Sequence, residues 1–214
     1  MSTAANVRDS ARALLGVGTS ESAGGDAEML TWLNLDYANL RRKVAQIIPD
    51  RYTALVTFDI AAGANTYTIA ATDFDRVRKV GRRWGGSGSE YKPLPMLSFA
   101  NAESAGVFGW CQRGLILDFF PILSAPNTAG VDGYQLSYLT KAATLAAGDT
   151  VDLPAGMERV LEMLLVARGK IRLGDSPVEA YQLARDFEKE DLLSLAAAYP
   201  GSPDVGADMT GFYG

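Results

Sequence analysis

The stretch VAQIIPDRYTALVTFDI, residues 44–60, decides the fold because the hydrophobic period changes within it. Up to Ile48, apolar residues recur every three or four positions, as they do on one face of a helix. Pro49 ends that helix, and from Arg51 onward β-branched and aromatic residues follow the two-residue period of a strand. A helical segment therefore passes directly into a β-rich one.

Two helices are predicted upstream of this switch. The first is capped by Ser2 or Thr3 and ends at Leu15, with Gly16 in the position that follows a helix. A linker rich in Gly, Ser and Thr separates it from a longer helix that Asp26 caps. The apolar stripes comprise Val7, Ala11 and Leu14 in the first helix and Met29, Leu30, Leu33, Tyr37, Leu40, Val44, Ile47 and Ile48 in the second. The opposite face of the longer helix carries Asp36, Asn39, Arg42 and Lys43.

Downstream of the switch, short β-branched or aromatic runs alternate with turn signals. Gly114 lies between two of these runs and predicts a tight hairpin. Six or seven short strands with turns between them predict a small antiparallel sandwich or barrel. The candidate strands are Tyr52–Ile60, Thr66–Ala71, Arg76–Trp84, Tyr91–Phe99, Val107–Arg113, Leu115–Phe120 and Tyr134–Thr140.

Helical periodicity returns near the end of the chain. Leu153 and Pro154 open a third helix. The run from Ser176 to Glu179 has the residues of a capping box, so a final helix begins there and Pro200 closes it. The short turn between the two helices predicts an antiparallel pair. Their stripes comprise Met157, Val160, Leu161, Leu164, Leu165 and Ile171, and then Val178, Tyr181, Ala184, Phe187, Leu192 and Leu195.

These segments together predict an α+β fold. Residues 1–50 and 145–200 form a four-helix bundle of two N-terminal and two C-terminal helices. Residues 51–144 form an inserted antiparallel β sandwich or barrel, and residues 201–214 form an extended C-terminal arm.

Composition narrows the function before any motif is considered. The chain has 214 residues, no His and one Cys, and its 20 basic and 25 acidic side chains give a net charge of −5. Without His there is no Ser-His-Asp triad, imidazole base or His metal ligand, and one Cys excludes an intrachain disulfide. We therefore predict no enzyme, no catalytic residue, no cofactor and no metal. The N-terminus lacks a signal-peptide apolar core, so synthesis in the cytosol without export is expected.

A basic cluster lies in one predicted strand. In strand geometry Arg76, Arg78 and Arg82 would share one face. Lys79 and Arg83 would point the other way. Three interpretations stay open: the cluster contacts DNA phosphates, it is a solvated edge strand whose charges deter sheet pairing, or it forms ion pairs with an acidic neighbouring subunit.

The acidic side chains concentrate in the second half of the chain. Residues 1–113 carry 13 basic and 11 acidic residues (+2), whereas residues 114–214 carry 7 and 14 (−7). Paired carboxylates such as Glu158 and Glu162 can also perform acid–base catalysis or hold a divalent cation. Asp73 and Asp75 form a second pair, which is weaker evidence for a metal site. We predict instead an acidic face toward a channel or a neighbouring subunit. Its residues are Glu158, Glu162, Glu188, Glu190 and Asp191.

The last fourteen residues suggest a docking arm. They are polar and rich in Gly, yet they include Met209, Phe212 and Tyr213. So little chain remains around these rings that they are poor core elements, and aromatic anchors commonly fill pockets on a partner. The alternative is an ordinary disordered terminus. Elsewhere, Cys111 has no base partner and is expected to be a buried, inert thiol.

A series of short motifs runs through most of the chain in a characteristic order. It resembles the head-to-tail adaptor (connector, or head completion) proteins of tailed bacteriophages, which lie beneath the portal in the virion neck. The stretches that carry the resemblance are Leu30–Asn34, Phe119–Pro121, Tyr134–Leu139, Leu145–Pro154 with Asp149 ahead of Asp152, and the helix pair Met157–Leu195.

The resemblance implies a structural virion protein without an active site. It implies a twelvefold ring on the portal that completes the head and connects it to the tail, with helices around a channel through which the genome passes. Residues 201–214 would be the portal-binding arm, with Met209, Phe212 and Tyr213 as anchors. The implied partners are the portal, neighbouring copies of the chain, and a downstream neck or tail protein. Genomic DNA would pass through the channel without sequence-specific binding, and no membrane is involved. The implied location is the virion neck after assembly in the host cytoplasm.

Two other functions remain as alternatives. A β sandwich that exposes Trp84, Tyr91 and Trp110 would suit a carbohydrate- or receptor-binding tail accessory protein. A carboxylate-dependent hydrolase would need two carboxyl groups at a suitable separation in one cleft. Burial of the Trp side chains would contradict the first alternative.

Overall fold

The computed structural model describes residues 2–18, 23–61, 63–83, 89–98, 100, 108–120 and 133–200. They divide into two compact units. The helical unit comprises the residues before Tyr52 and after Lys141, and the β unit comprises Tyr52–Lys141. Four α-helices and two antiparallel sheets give the described chain the predicted α+β class. Among its helices, none is long and apolar enough to cross a membrane.

The helical unit is organised around its third helix. That helix, α3, contacts each of the other three, and its residue Arg159 near the start bonds Asp191 near the end of α4, so the two run antiparallel as predicted. The helices are α1 (Ala4–Leu15), α2 (Asp26–Ile47), α3 (Glu158–Leu173) and α4 (Val178–Ala198). Their fully buried side chains include Val7, Met29, Leu33, Val44, Leu161 and Leu165.

The helix ends follow local chemistry in some places and not in others. The hydroxyl of Thr3 accepts a hydrogen bond from the amide of Asn6 at 3.2 Å, and Gly16 adopts φ of 66°, so both ends of α1 are confirmed. Asp26 is the first residue of α2 rather than its cap, because its carboxylate pairs with Arg8 and Arg12.

The two C-terminal helices begin later than predicted. Residues 154–157 form a turn in which the amide of Met157 bonds the carbonyl of Pro154 at 3.2 Å, so α3 starts at Glu158. The predicted capping box is wrong: Pro177 occupies the N-cap position of α4, and Ser176 therefore lies outside the helix.

Four predicted side-chain placements in the helical unit are also wrong. The helical spacing places Leu14, Ile171 and Val178 in apolar stripes, but they are 58%, 54% and 68% exposed. All three lie in the first or last turn of a helix, where neighbouring helices no longer cover the stripe. Asp36, assigned to the polar face of α2, is buried because it pairs with Arg168 of α3.

The β unit contains a four-stranded and a three-stranded sheet. The strand order is β1-β7-β3-β4 in the first and β2-β6-β5 in the second, and β5 and β6 form the hairpin predicted at Gly114. The strands are β1 (Thr53–Phe58), β2 (Thr66–Thr68), β3 (Phe74–Arg83), β4 (Tyr91–Pro93), β5 (Gly109–Arg113), β6 (Ile116–Phe120) and β7 (Tyr134–Thr140).

One aromatic-rich core lies between the two sheets. Phe119 from the smaller sheet packs 5.2 Å from Tyr134 of the larger one, measured between ring centroids. The chain after β4 contacts both sheets. The amide of Leu94 donates to the carbonyl of Val80 on β3, and the amide of Trp110 on β5 donates to the carbonyl of Pro95. The core comprises Phe58, Ile60, Ile69, Phe74, Val80, Leu94, Trp110, Leu117, Phe119, Tyr134, Leu136 and Tyr138.

Several strands are shorter than their sequence patterns. The strand predicted over Tyr91–Phe99 spans only Tyr91–Pro93, because prolines at 93 and 95 cannot donate to a ladder. The strand predicted over Thr66–Ala71 ends at Thr68. The alternating pattern of β7 gave both of its ends correctly.

Candidate functional site

The basic cluster lies on β3, between β7 and β4 in the larger sheet. Register shifts occur between Phe74 and Arg76 and again between Val77 and Lys79. As a result Arg76 pairs with Leu139 and Lys79 with Ser137, whereas Arg82 pairs with the core residue Tyr134. Each bulge inserts a residue and reverses the alternation of the side chains. Arg76 and Arg82 therefore point to opposite faces of the sheet, and the prediction that they share one face is wrong.

Three of the five basic side chains have partners within the β unit. The guanidinium of Arg82 lies 4.6 Å from the ring centroid of Phe108 and 5.7 Å from that of Tyr134. Arg83 stacks 4.6 Å from the centroid of Tyr91 and donates to its hydroxyl at 2.8 Å. In the same unit, Arg78 donates to the hydroxyl of Thr53 at 2.8 Å.

The larger sheet has a second side, turned away from its core, which we call the outer face. Arg76 and Lys79 are exposed on it, and neither forms an ion pair within the described part of the chain. Its paired strand positions carry no acidic side chain, although Asp75, which the first bulge inserts, is adjacent to Arg76. The described paired positions are Thr53, Leu55 and Thr57 on β1, Gln135, Ser137 and Leu139 on β7, Arg76, Lys79, Gly81 and Arg83 on β3, and Tyr91 and Pro93 on β4.

The three predicted acidic residues of α4 are engaged with basic side chains of neighbouring helices. Glu188 forms an ion pair with Lys43 of α2. Arg159 of α3 donates to Asp191 at 2.7 and 3.2 Å and to Glu190 at 2.9 Å. The hydrogen bonds that Arg159 donates to the Asp191 carboxylate raise the pKa of Arg159 above its ordinary value. These contacts link α4 to α2 and α3.

The two acidic residues of α3 have different surroundings. Glu158 is buried at the start of the helix and accepts a hydrogen bond from the amide of Gly156 at 3.0 Å. Glu162 is partly buried, and this burial raises the pKa of its carboxyl group against the opposing effect of a hydrogen bond from Ser10. Among the residues that the structure describes, no three acidic or Cys side chains are placed to hold a metal ion. The channel or subunit role of the five acids stays a prediction.

A partly buried ion pair between α2 and α3 was not predicted. Arg168 donates to both carboxylate oxygens of Asp36, at 2.7 and 2.9 Å. Donating these hydrogen bonds to the Asp36 carboxylate raises the pKa of Arg168. The two residues are 132 positions apart, so no local pattern in the sequence pairs them.

The segment that returns from the β unit, residues 142–157, is held to the helical unit by polar contacts. The side-chain amide of Asn34 donates to the carbonyl of Leu145 at 3.0 Å and accepts from its amide at 2.6 Å. Arg51 donates to Asp152 at 2.8 Å, and the amide of Ala4 bonds the carbonyl of Asp149 at 2.9 Å. Two stretches that carry the family resemblance, 30–34 and 145–154, therefore meet in the structure.

A comparison with known families decides the identity of the chain. The family model described as SU10 adaptor protein matches residues 2–204. The chain belongs to this family. It is a phage head-to-tail adaptor family, as the resemblance predicted, and the protein is accordingly a structural component of the virion neck. No curated protein matches the chain.

The surroundings of Trp110 and Cys111 agree with a structural role for this adaptor. Trp110 is 4% exposed and its indole nitrogen donates to the carbonyl of Leu94 at 3.2 Å, so it cannot serve as a carbohydrate platform. Cys111 is buried, as predicted, and burial raises the pKa of its thiol, which keeps it protonated and unreactive. Trp84 and the predicted docking residues Met209, Phe212 and Tyr213 lie outside the described residues.

Proposed function

We propose that this adaptor forms a ring beneath the portal, completes the head and connects it to the tail, with the genome passing through the channel of the ring. The match of the adaptor family model over residues 2–204 is the observation that carries the proposal. Twelve copies form the ring, and the four helices of each copy form a bundle. The partners are the portal above and a neck or tail protein below.

The helical unit offers surface for contacts between copies in such a ring. A closed ring is built from heterologous contacts, in which two different patches of each copy meet. Only Ala180, Ala184 and Leu192 of α4 are buried, whereas Leu193 is 47% exposed. Exposed apolar residues of this kind support an intermolecular contact along α4.

The acidic residues of α3 and α4 keep their proposed place on a channel or subunit face. A channel wall through which DNA moves must not hold phosphates tightly, and carboxylates repel them. Glu190 is the most favourable of the five for this role, since its side chain is 68% exposed even though it bonds Arg159. Glu158 is the least favourable because it is buried.

The C-terminal arm provides the test of portal binding. A variant that lacks Gly201–Gly214 is expected to bind isolated portal at least tenfold more weakly, which is about 1.4 kcal/mol, because it loses the aromatic anchors. Binding is measured by biolayer interferometry on immobilised portal. The double variant Phe212→Ala/Tyr213→Ala is expected to account for most of the loss.

A matched control separates the anchors from the length of the arm. Replacing residues 201–208 by Gly and Ser while retaining 209–214 is expected to preserve most of the affinity. The unfolding midpoint of each variant is measured in parallel, so that a loss of docking is distinguished from a loss of fold. Unchanged portal affinity after removal of 201–214 would show that the arm is not the docking element.

A further inference from the structure

We propose that the outer face of the four-stranded sheet binds the phosphate backbone of double-stranded DNA without sequence preference. The proposal rests on the proposed function in one respect, since a genome passing through the ring makes DNA the polyanion that the protein meets. The binding surface itself is defined by the residues of the β unit.

The charge of the outer face is opposite to that of the whole chain. Arg76, Lys79 and Arg83 face this side, and Arg78 reaches the hydroxyl of Thr53, which lies on it too. Asp75 is the acid next to them, so the cluster keeps a local excess of positive charge within a chain of net charge −5. Such a local excess attracts a polyanion even when the whole protein is acidic.

The shape and chemistry of the outer face suit a phosphate backbone. Strand residues rise about 3.3 Å each, so Arg76 to Arg83 extend over roughly 20 Å. Duplex DNA carries one negative charge per about 1.7 Å of its axis, so several phosphates lie within that length. Thr57, Ser137 and Gln135 share the face and offer neutral donors for phosphate oxygens. Since the basic side chains lie on a bulged β-strand and not on a groove-reading helix, sequence-neutral binding is expected.

An acidic surface on a neighbouring copy is the competing partner for this face. The acids predicted to form such a surface are largely engaged within their own helical unit. Glu188 pairs with Lys43, and Arg159 binds both Glu190 and Asp191. Their charge is therefore partly neutralised, which favours DNA phosphates over these residues as the partner of the outer face.

The test compares two double variants that remove the same charge. Binding of the full-length protein to a fluorescein-labelled 25-base-pair duplex of arbitrary sequence is followed by anisotropy at several NaCl concentrations. The variant Arg76→Ala/Lys79→Ala is expected to bind at least tenfold more weakly at low salt, with a log K against log[salt] slope that is smaller by about 1.8. The control Arg185→Ala/Lys189→Ala, on exposed positions of α4, is expected to stay within twofold of the wild type.

The other outcomes overturn the proposal. It fails if the wild type does not bind the duplex at low salt, if the control loses as much affinity as the test variant, or if the test variant binds unchanged. Ring formation with portal is imaged for the same proteins. A test variant that keeps its DNA affinity but no longer forms rings assigns the outer face to a subunit contact and overturns the proposal. Failure of the wild type to form rings contradicts the proposed function instead, and the anisotropy result is judged separately.

Discussion

Replacing Arg168 by Ala is expected to lower the free energy of unfolding by about 3 kcal/mol, because it leaves the buried carboxylate of Asp36 without its partner. The side chain of Asp36 is only 9% exposed and accepts two hydrogen bonds from Arg168. Without the guanidinium, the carboxylate of Asp36 stays buried between α2 and α3 with its main counter-charge removed. Urea unfolding monitored by circular dichroism measures the change.

Two further variants make the Arg168 experiment specific. Arg185→Ala removes an exposed Arg from α4 and is expected to change the unfolding free energy by less than about 0.5 kcal/mol. The double variant Asp36→Leu/Arg168→Met replaces the pair by apolar side chains of similar size and is expected to recover most of the stability. A loss below about 1 kcal/mol for Arg168→Ala would mean that the pair does not join the two helices in solution.

Replacing Asn34 by Ala is expected to cost about 2 to 3 kcal/mol, because it leaves both backbone groups of Leu145 without their partner. The side chain of Asn34 donates to the carbonyl of Leu145 and accepts from its amide. These contacts hold the segment 142–157 against α2, so its loosening is expected to accompany the loss of stability. Urea unfolding gives the energy, and hydrogen exchange of the Leu145 amide reports the loosening.

Asn39 supplies the matched control for the Asn34 experiment. It is an exposed Asn on the same helix, and Asn39→Ala is expected to leave exchange at Leu145 unchanged. The greater helix propensity of Ala gives this control variant a small gain in stability. Unchanged exchange at Leu145 in Asn34→Ala would rule out the proposed role of Asn34 in holding the segment.

Elements with complete local signals could be predicted from the sequence alone. The first helix has a Thr cap at one end and a Gly with positive φ at the other, and both of its ends were correct. The last strand alternates from Tyr134 to Tyr138, with Leu139 as a second consecutive buried residue, and both of its ends were correct as well. In both cases the local signals agree with the distant contacts, since α1 packs on α3 and β7 pairs with β1 and β3, so the bounds could be predicted from the local sequence.

Features that depend on tertiary contacts escaped prediction. The bulges of β3 change which basic residues share a face, and no turn residue marks them in the sequence. The helical spacing of Asp36 is that of a solvent-facing residue, but the side chain is buried because it pairs with Arg168, which lies 132 residues later in the sequence. The predicted N-cap of α4 was wrong because a Ser and a Glu at capping-box spacing do not decide at which residue the helix begins.

The family was predictable because its evidence is spread along the chain. Short motifs in a fixed order pointed to a phage adaptor, and the family model matches residues 2–204. Individual site residues were harder to assign, because a docking arm or a channel wall acts only in an assembly. Met209, Phe212 and Tyr213, and the five acids of α3 and α4, therefore remain predictions for experiment.

Ring formation on the portal is the central claim, and one electron-microscopy measurement tests it most directly. The purified protein is mixed with purified portal rings and the complexes are imaged after negative staining. We expect class averages with an additional ring of twelve copies, coaxial with the portal and open along its axis. Portal particles without added density, or with single copies attached off the axis, would contradict the account.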